Sequence, residues 1–109
     1  MELKETTKLY GALSDETRLR VLFILSQGEF CVQDLMKILE VPQSTISRHL
    51  GVLDSVALVK SRRERTRVFY TLREPAGVIH QRVFQCVQQV FPAFSVIKKD
   101  RKKLQSFRK

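Results

Sequence analysis

The sequence is poor in the residues on which several classes of protein depend. It has only two cysteines, too few for a disulfide framework or for a four-thiolate zinc site within one chain. Its four glycines are scattered, so no glycine-rich loop is available to cradle a phosphate. No stretch reaches the ~20 apolar residues of a membrane span, and no signal peptide is evident. We therefore expect a cytoplasmic protein with both cysteines as thiols.

The chain also lacks the residue pattern that an enzyme needs. Its two histidines, His49 and His80, have no acidic residue close by in sequence to orient them. No nucleophile, base and acid are spaced as a catalytic set. The sequence therefore argues against an enzyme.

The chain has an excess of positive charge, and this excess is concentrated in two segments. The net charge is +9, from 20 basic and 11 acidic residues. Residues 43–73 contain seven basic and two acidic residues, and residues 98–109 contain seven and one. Residues 1–42 have the opposite balance, with five basic and seven acidic residues. This segregation predicts a surface that binds a polyanion, and the alternative is a basic face that is only solvated.

Apolar periodicity, capping residues and turn residues predict a mainly helical chain with one small β-hairpin. The predicted helices span residues 2–13, 14–26 (with Ser14 as N-cap), 33–39, Gln43–Ser55 and 76–91 or 76–94, and the strands span residues 58–63 and 66–72, after a brief extended piece at residues 30–32. This order is that of a winged helix-turn-helix protein. We expect a DNA-binding and dimerisation domain at residues 1–97. Residues 98–109 form a basic tail, as frayed helix or disorder.

The fourth predicted helix has the character of a helix that reads DNA. Ile46, Leu50 and Leu53 form a narrow apolar seam, and the opposite face is short and polar. Such a face suits the major groove, where side chains reach base edges or phosphates. The expected contact residues are Gln43, Ser44, Thr45, Ser47, Arg48 and His49. Partly buried packing remains an alternative for His49, and backbone bonding for Ser47, because both lean toward the seam.

The predicted hairpin is rich in arginine around its turn, with Arg62, Arg63, Arg65 and Arg67. Four guanidinium groups so close together repel one another unless a polyanion is present. We expect them to grip phosphates beside the minor groove, or inside it in the case of Arg65.

Four segments of the chain resemble a known family. They read LSDETRLRVLFIL, GEFCVQDLMKIL, STISRHLGVL and RTRVFYTL, and they cover roughly residues 9–72. The chain thus resembles the ArsR/SmtB family of winged-helix repressors, which sense metals, metalloids or thiol chemistry. The resemblance implies a homodimer joined through its first and last helices, on an inverted-repeat operator in double-stranded DNA that an inducer releases. The alternative is a non-inducible or architectural DNA-binding protein, with a tail that adds nonspecific binding.

The usual inducer sites of that family are not present. Arsenite-sensing members have a three-cysteine box, where this chain has Cys31, Gln33 and Met36. Zinc-sensing members have an Asp-x-His pair on the last helix, where this chain has Val78 and His80. The resemblance therefore leaves the identity of any metal unknown.

The two cysteines are the remaining candidates for an inducer site. Cys31 and Cys86 are similar in placement to the cysteine pair of members that sense persulfides or oxidants. A second interpretation is a site for arsenite or another soft metal ion, built from both thiols and perhaps shared across subunits. The third is that each is a small buried residue, with Cys86 in the core or the dimer interface.

Overall fold

The computed structural model describes residues 1–107, which form six α-helices and one three-stranded antiparallel sheet. The helices are α1 (Leu3–Ala12), α2 (Glu16–Leu25), α3 (Val32–Leu39), α4 (Gln43–Ser55), α5 (Val78–Val90) and α6 (Ser95–Phe107), and the strands are β1 (Phe30–Cys31), β2 (Val59–Glu64) and β3 (Arg67–Leu72). The predicted fold class, mainly helical with a small hairpin, is confirmed. Within residues 1–107 no helix has both the length and the apolar character to cross a membrane.

Helix α2 occupies the centre of the hydrophobic core. All five residues at positions 21–25 are buried, and a helix that is apolar on every side must be surrounded by other elements. The N-cap of this helix is Asp15, whose carboxylate accepts a hydrogen bond from the N–H of Arg18 at 3.0 Å. The predicted N-cap, Ser14, is therefore wrong by one residue, because the side chain of Asp15 satisfies the free N–H group of the first turn.

Helices α3 and α4 form the helix-turn-helix. Glu40 ends α3 in the left-handed conformation, with φ 58° and ψ 46°, and so turns the chain toward α4. Helix α4 has the bounds that were predicted for it. Ile46, Leu50 and Leu53 are at most 1% exposed, which confirms the apolar seam. This seam fixes which side of α4 faces the core.

Strands β2 and β3 form a hairpin, which we call the wing. Their register runs from Val59 opposite Leu72 to Glu64 opposite Arg67, and the turn between them has two residues. The short strand β1 pairs with β3, with Cys31 opposite Phe69, so the sheet order is β1-β3-β2. The base of the wing is thereby joined to the start of α3.

The C-terminal region differs from the prediction. The predicted long last helix ends at Val90, and a 3-10 turn with Pro92 follows, since proline lacks the N–H that a continuing helix needs. The predicted basic tail is helical up to Phe107, and the predicted domain end at residue 97 falls inside α6. The last two residues of that tail, 108–109, lie outside the described residues.

Helix α6 packs on α2 and α3 through three buried side chains, Ile97, Asp100 and Leu104. The guanidinium of Arg20 in α2 donates two hydrogen bonds to the Asp100 carboxylate, both 2.9 Å long. A paired arginine and carboxylate can be buried in this way because each satisfies the charge and hydrogen bonds of the other. The helix is therefore an integral part of the domain.

Candidate nucleic-acid interface

The polar face of α4 is open to solvent over its first two turns. Gln43, Ser44, Ser47 and Arg48 are exposed, and Thr45 is half-buried. The buried seam of α4 lies on the other side of the helix and holds it against the core. These five side chains can therefore enter a groove of a DNA duplex without any rearrangement of the fold.

His49, in contrast, faces the interior and is 7% exposed. Its Nδ1 atom lies 3.2 Å from Nη1 of Arg18 and 3.9 Å from a carboxylate oxygen of Asp15. The prediction that His49 contacts DNA is wrong, because the ring is enclosed between α4 and the start of α2. The packing alternative is the one that the structure adopts.

Arg18 fixes the orientation of α4 relative to the first two helices. Besides its contact with His49, it donates to the carbonyl oxygens of Ala12 at 2.7 Å and Gly11 at 3.3 Å. The N–H of Arg18 also binds the Asp15 carboxylate and holds the pKa of that group below its ordinary value. No local pattern in the sequence points to Arg18 or Asp15, since their partner in α4 is more than thirty residues away.

The four wing arginines do not share one surface. Because side chains alternate along a strand and Arg62 is opposite Phe69, Arg62 and Arg67 lie on one face of the hairpin. Arg63 lies on the other face, and Arg65 is in the turn. All four are exposed, but their surroundings differ.

Arg62 is held by carboxylates of the protein itself. Its guanidinium binds both carboxylate oxygens of Glu29 at 2.7 Å and one of Glu64 at 2.8 Å, and it lies 4.7 Å from the ring centroid of Phe69. The hydrogen bonds from Arg62 lower the pKa of Glu29. The predicted repulsion among the arginines is therefore reduced without a polyanion, because Arg62 is already paired with carboxylates of its own chain.

Arg65 occupies a backbone conformation in which glycine is the usual residue. It is the first of the two turn residues and has φ 58°. A residue with a Cβ atom pays about 1–2 kcal/mol in this region. Because strained residues concentrate at functional sites, this position at the tip of a hairpin makes Arg65 a candidate contact.

The two cysteines lie in different environments. Cys31 is fully buried at the junction of β1 and α3, and its Sγ atom lies 3.8 Å from Nη1 of Arg67 in the wing. Cys86 is exposed on α5, so its predicted place in the core is wrong, whereas a place in an interface stays open. Both are free thiols. Among residues 1–107 no three histidine, cysteine or acidic side chains are grouped to hold a metal ion.

A helix-turn-helix with an exposed polar face on its second helix, followed directly by an arginine-bearing hairpin, defines a winged helix-turn-helix DNA-binding protein. Residues 15–61 match the model of the family described as bacterial regulatory protein, arsR family. The chain is 35% identical over 88 residues to the cadmium resistance transcriptional regulatory protein CadC homolog of Staphylococcus aureus, covering 80% of this chain and 68% of that protein. The chain belongs to the arsR family, which confirms the resemblance seen in its sequence.

Two further relatives extend over a similar part of the chain. The biofilm growth-associated repressor of Agrobacterium fabrum is 35% identical over 89 residues, which cover 82% of this chain and 74% of that protein. The solution structure of the homodimeric winged helix-turn-helix DNA-binding domain Mb0332 of Mycobacterium bovis has a TM-score of 0.68 and 35% identity. It covers 81% of this chain and 79% of that chain. Proteins of this family are DNA-binding regulators and not enzymes.

Proposed function

We propose that the chain is a sequence-specific transcriptional repressor that binds an inverted-repeat operator as a homodimer. The observation that carries this proposal is the uncovered polar face of α4, bounded by a seam that is at most 1% exposed. Repressor function is supported by relatives that carry that name, such as the one from Agrobacterium fabrum.

The roles of the DNA-contacting residues follow from their positions. Arg48 is the long cation on the exposed face of α4, and a bidentate contact from arginine to guanine discriminates between bases. Gln43, Ser44, Thr45 and Ser47 bind neighbouring base edges or phosphates from the same face.

The wing contacts the phosphate backbone beside that groove. Arg63 and Arg65 are its phosphate ligands, because no carboxylate contact of the kind that holds Arg62 is found for them among residues 1–107. Arg62 and Arg67 hold the wing against Glu29 and the Cys31 region and so set its position.

The homodimer is joined through α1 and α5, which correspond to the first helix and the predicted last helix. Large apolar side chains are exposed on both helices, including Leu3 at 78%, Tyr10 at 57% and Val78 at 63%. Exposed apolar surface of this kind marks an interaction site in a protein of modest size. The homodimeric relative from Mycobacterium bovis supports this assembly.

The inducer acts at the thiols, and Cys31 has the more direct route to DNA. Its sulfur is fully buried against Arg67, so a soft metalloid or an oxidant reaches Cys31 only when the base of the wing opens, and the modified sulfur then displaces Arg67. Cys86 lies on α5, near the proposed dimer interface, and contributes the second thiol.

The test is a selection of bound duplexes from a random pool with the full-length protein, followed by measurement of Kd. We expect an inverted repeat whose half-sites are about one helical turn apart, bound roughly 10³-fold more tightly than a scrambled duplex. Equal affinity for both duplexes contradicts the proposal and favours the architectural alternative.

Release is tested on the same selected duplex, with arsenite and with a thiol oxidant as separate probes. Each probe that acts through Cys31 weakens binding by the wild type and leaves the Cys31→Ser variant unchanged. The Cys86→Ser variant shows whether the second thiol is needed. If neither probe changes the affinity of the wild type, the thiol mechanism is wrong and the repressor assignment stands.

A further inference from the structure

We propose that α6 is a third DNA-contacting element, whose lysines bind phosphates of the duplex outside the half-site that α4 reads. This inference rests on the proposed function, because it assumes that α4 lies in the groove. It concerns a region that the family match at residues 15–61 does not include.

The charge of α6 is almost entirely of one sign. Its exposed cations are Lys98, Lys99, Arg101, Lys102 and Lys103. Its acidic residue, Asp100, is 1% exposed and paired with Arg20, so it does not offset the exposed charge. A helix that is charged only for solubility usually alternates acids and bases at i,i+4 spacing. A one-sign face is favourable when a polyanion covers it.

Helix α6 is attached to the helix-turn-helix at its turn. The Nζ of Lys103 donates to the carbonyl oxygen of Ile38 at 3.0 Å and also binds the carboxylate of Glu40. Glu40 is the residue that ends α3, and α4 begins three residues later. In helix-turn-helix complexes the second helix enters the groove and the first crosses the backbone. A helix packed on α3 at this turn therefore lies beside the phosphates that flank the groove.

The cations of α6 divide between two sides of the helix. Lys99, Lys102 and Lys103 line a concave surface together with Glu40, on the side of α3. On the other side, the guanidinium of Arg101 lies 5.3 Å from the ring centroid of Phe23 in α2. Lys98 is also exposed, but it does not line that concave surface.

The helix that carries the first group is held in place before any DNA arrives. The bidentate pair of Arg20 and Asp100 fixes the middle of α6, at 2.9 Å for both hydrogen bonds. Two buried apolar residues, Ile97 and Leu104, fix its two halves. A helix already fixed in the fold loses little backbone freedom on binding, which favours a role in the complex.

The test compares two single substitutions of adjacent, exposed lysines, Lys99→Gln and Lys98→Gln. Each removes one charge from the same helix, so bulk charge is matched. Kd is measured against salt concentration on two duplexes, one ending at the selected operator and one extended by about ten base pairs on each side. Thermal unfolding of both variants checks that they fold as the wild type does.

On the extended duplex we expect Lys99→Gln to reduce the slope of log Kd against log salt by about 0.9 for each phosphate that the variant no longer binds. The preference for operator over scrambled sequence stays unchanged, because phosphate contacts carry no base information. On the short duplex the salt slope of Lys99→Gln equals that of the wild type. The salt slope of Lys98→Gln equals that of the wild type on both duplexes.

Two results overturn the inference. One is a salt slope on the extended duplex that Lys99→Gln leaves unchanged. The other is a reduction of that slope by Lys98→Gln as large as the reduction by Lys99→Gln, which would reflect net charge alone. A wild-type protein without preference for any duplex would instead contradict the proposed function, so the two failures are distinguishable.

Discussion

His80 lies in α5 with 3% of its surface exposed, and its Nε2 atom has no hydrogen-bond partner among residues 1–107. Burial lowers the pKa of this imidazole below its ordinary value of about 6.5, because the charged form is poorly solvated there. The folded protein therefore binds a proton at His80 less readily than the unfolded chain does.

This difference predicts a pH dependence of stability. Below about pH 6.5 the unfolded state takes up the proton first, so the free energy of unfolding falls as the pH decreases, by at most ~1.4 kcal/mol per pH unit for one group. Urea unfolding at pH 8, 7, 6 and 5 measures this slope. The His80→Leu variant is expected to lose part of the slope between pH 7 and 5. An unchanged slope in that variant would place the responsible proton elsewhere.

His49 and Arg62 show where single-residue prediction from sequence fails. Both have a type and position that suit a DNA contact, yet His49 is bound to Arg18 and Arg62 to Glu29. Each partner lies about thirty residues away in sequence and is brought close by the fold. Pairings of this kind leave no local pattern, so exposure and electrostatic partners could not be predicted for these two residues.

Among the secondary elements, the wing carries the clearest conflict between stability and binding. Arg65 has φ 58° at the wing turn, and Ala57 has φ 60° after the end of α4. Glycine at either position relieves the contact between the Cβ atom and the backbone. Only the first substitution also removes a charge.

The pair of variants Arg65→Gly and Ala57→Gly separates these two effects. Both are expected to raise the free energy of unfolding by up to about 1 kcal/mol, or to leave it unchanged. Arg65→Gly alone weakens binding to operator and scrambled duplexes alike and reduces the salt slope by about 0.9 per phosphate. Titrations of both variants at several salt concentrations measure this. Binding that Arg65→Gly leaves intact would remove Arg65 from the interface.

The elements differ in how well the sequence predicts them. The bounds of α4 and its buried seam could be predicted because apolar residues recur at helical spacing there. Helix α6 could not be predicted in this way. One of its three buried residues is Asp100, and five cations stand between the other two in sequence, so no apolar periodicity is visible. The neutralising partner of Asp100 is Arg20, eighty residues away in sequence.

For the molecule as a whole, the predicted segregation of charge corresponds to separate regions of the fold. The acidic excess of residues 1–42 accompanies α1 to α3, while the cations lie on α4, the wing and α6. The exposed apolar side chains of α1 and α5 form a further region, which we assign to the dimer. A dimer that places two such basic surfaces side by side suits an inverted repeat, whose half-sites share its two-fold symmetry.

The central claim is that the exposed face of α4 reads bases in the major groove. The most direct measurement compares the wild type with Arg48→Ala on the selected operator and on a scrambled duplex, each over a range of salt. Without a bidentate arginine on guanine, the preference for the operator is expected to fall by about 1–3 kcal/mol while the salt slope changes by about one or less. A variant that keeps the full preference for the operator would contradict the claim.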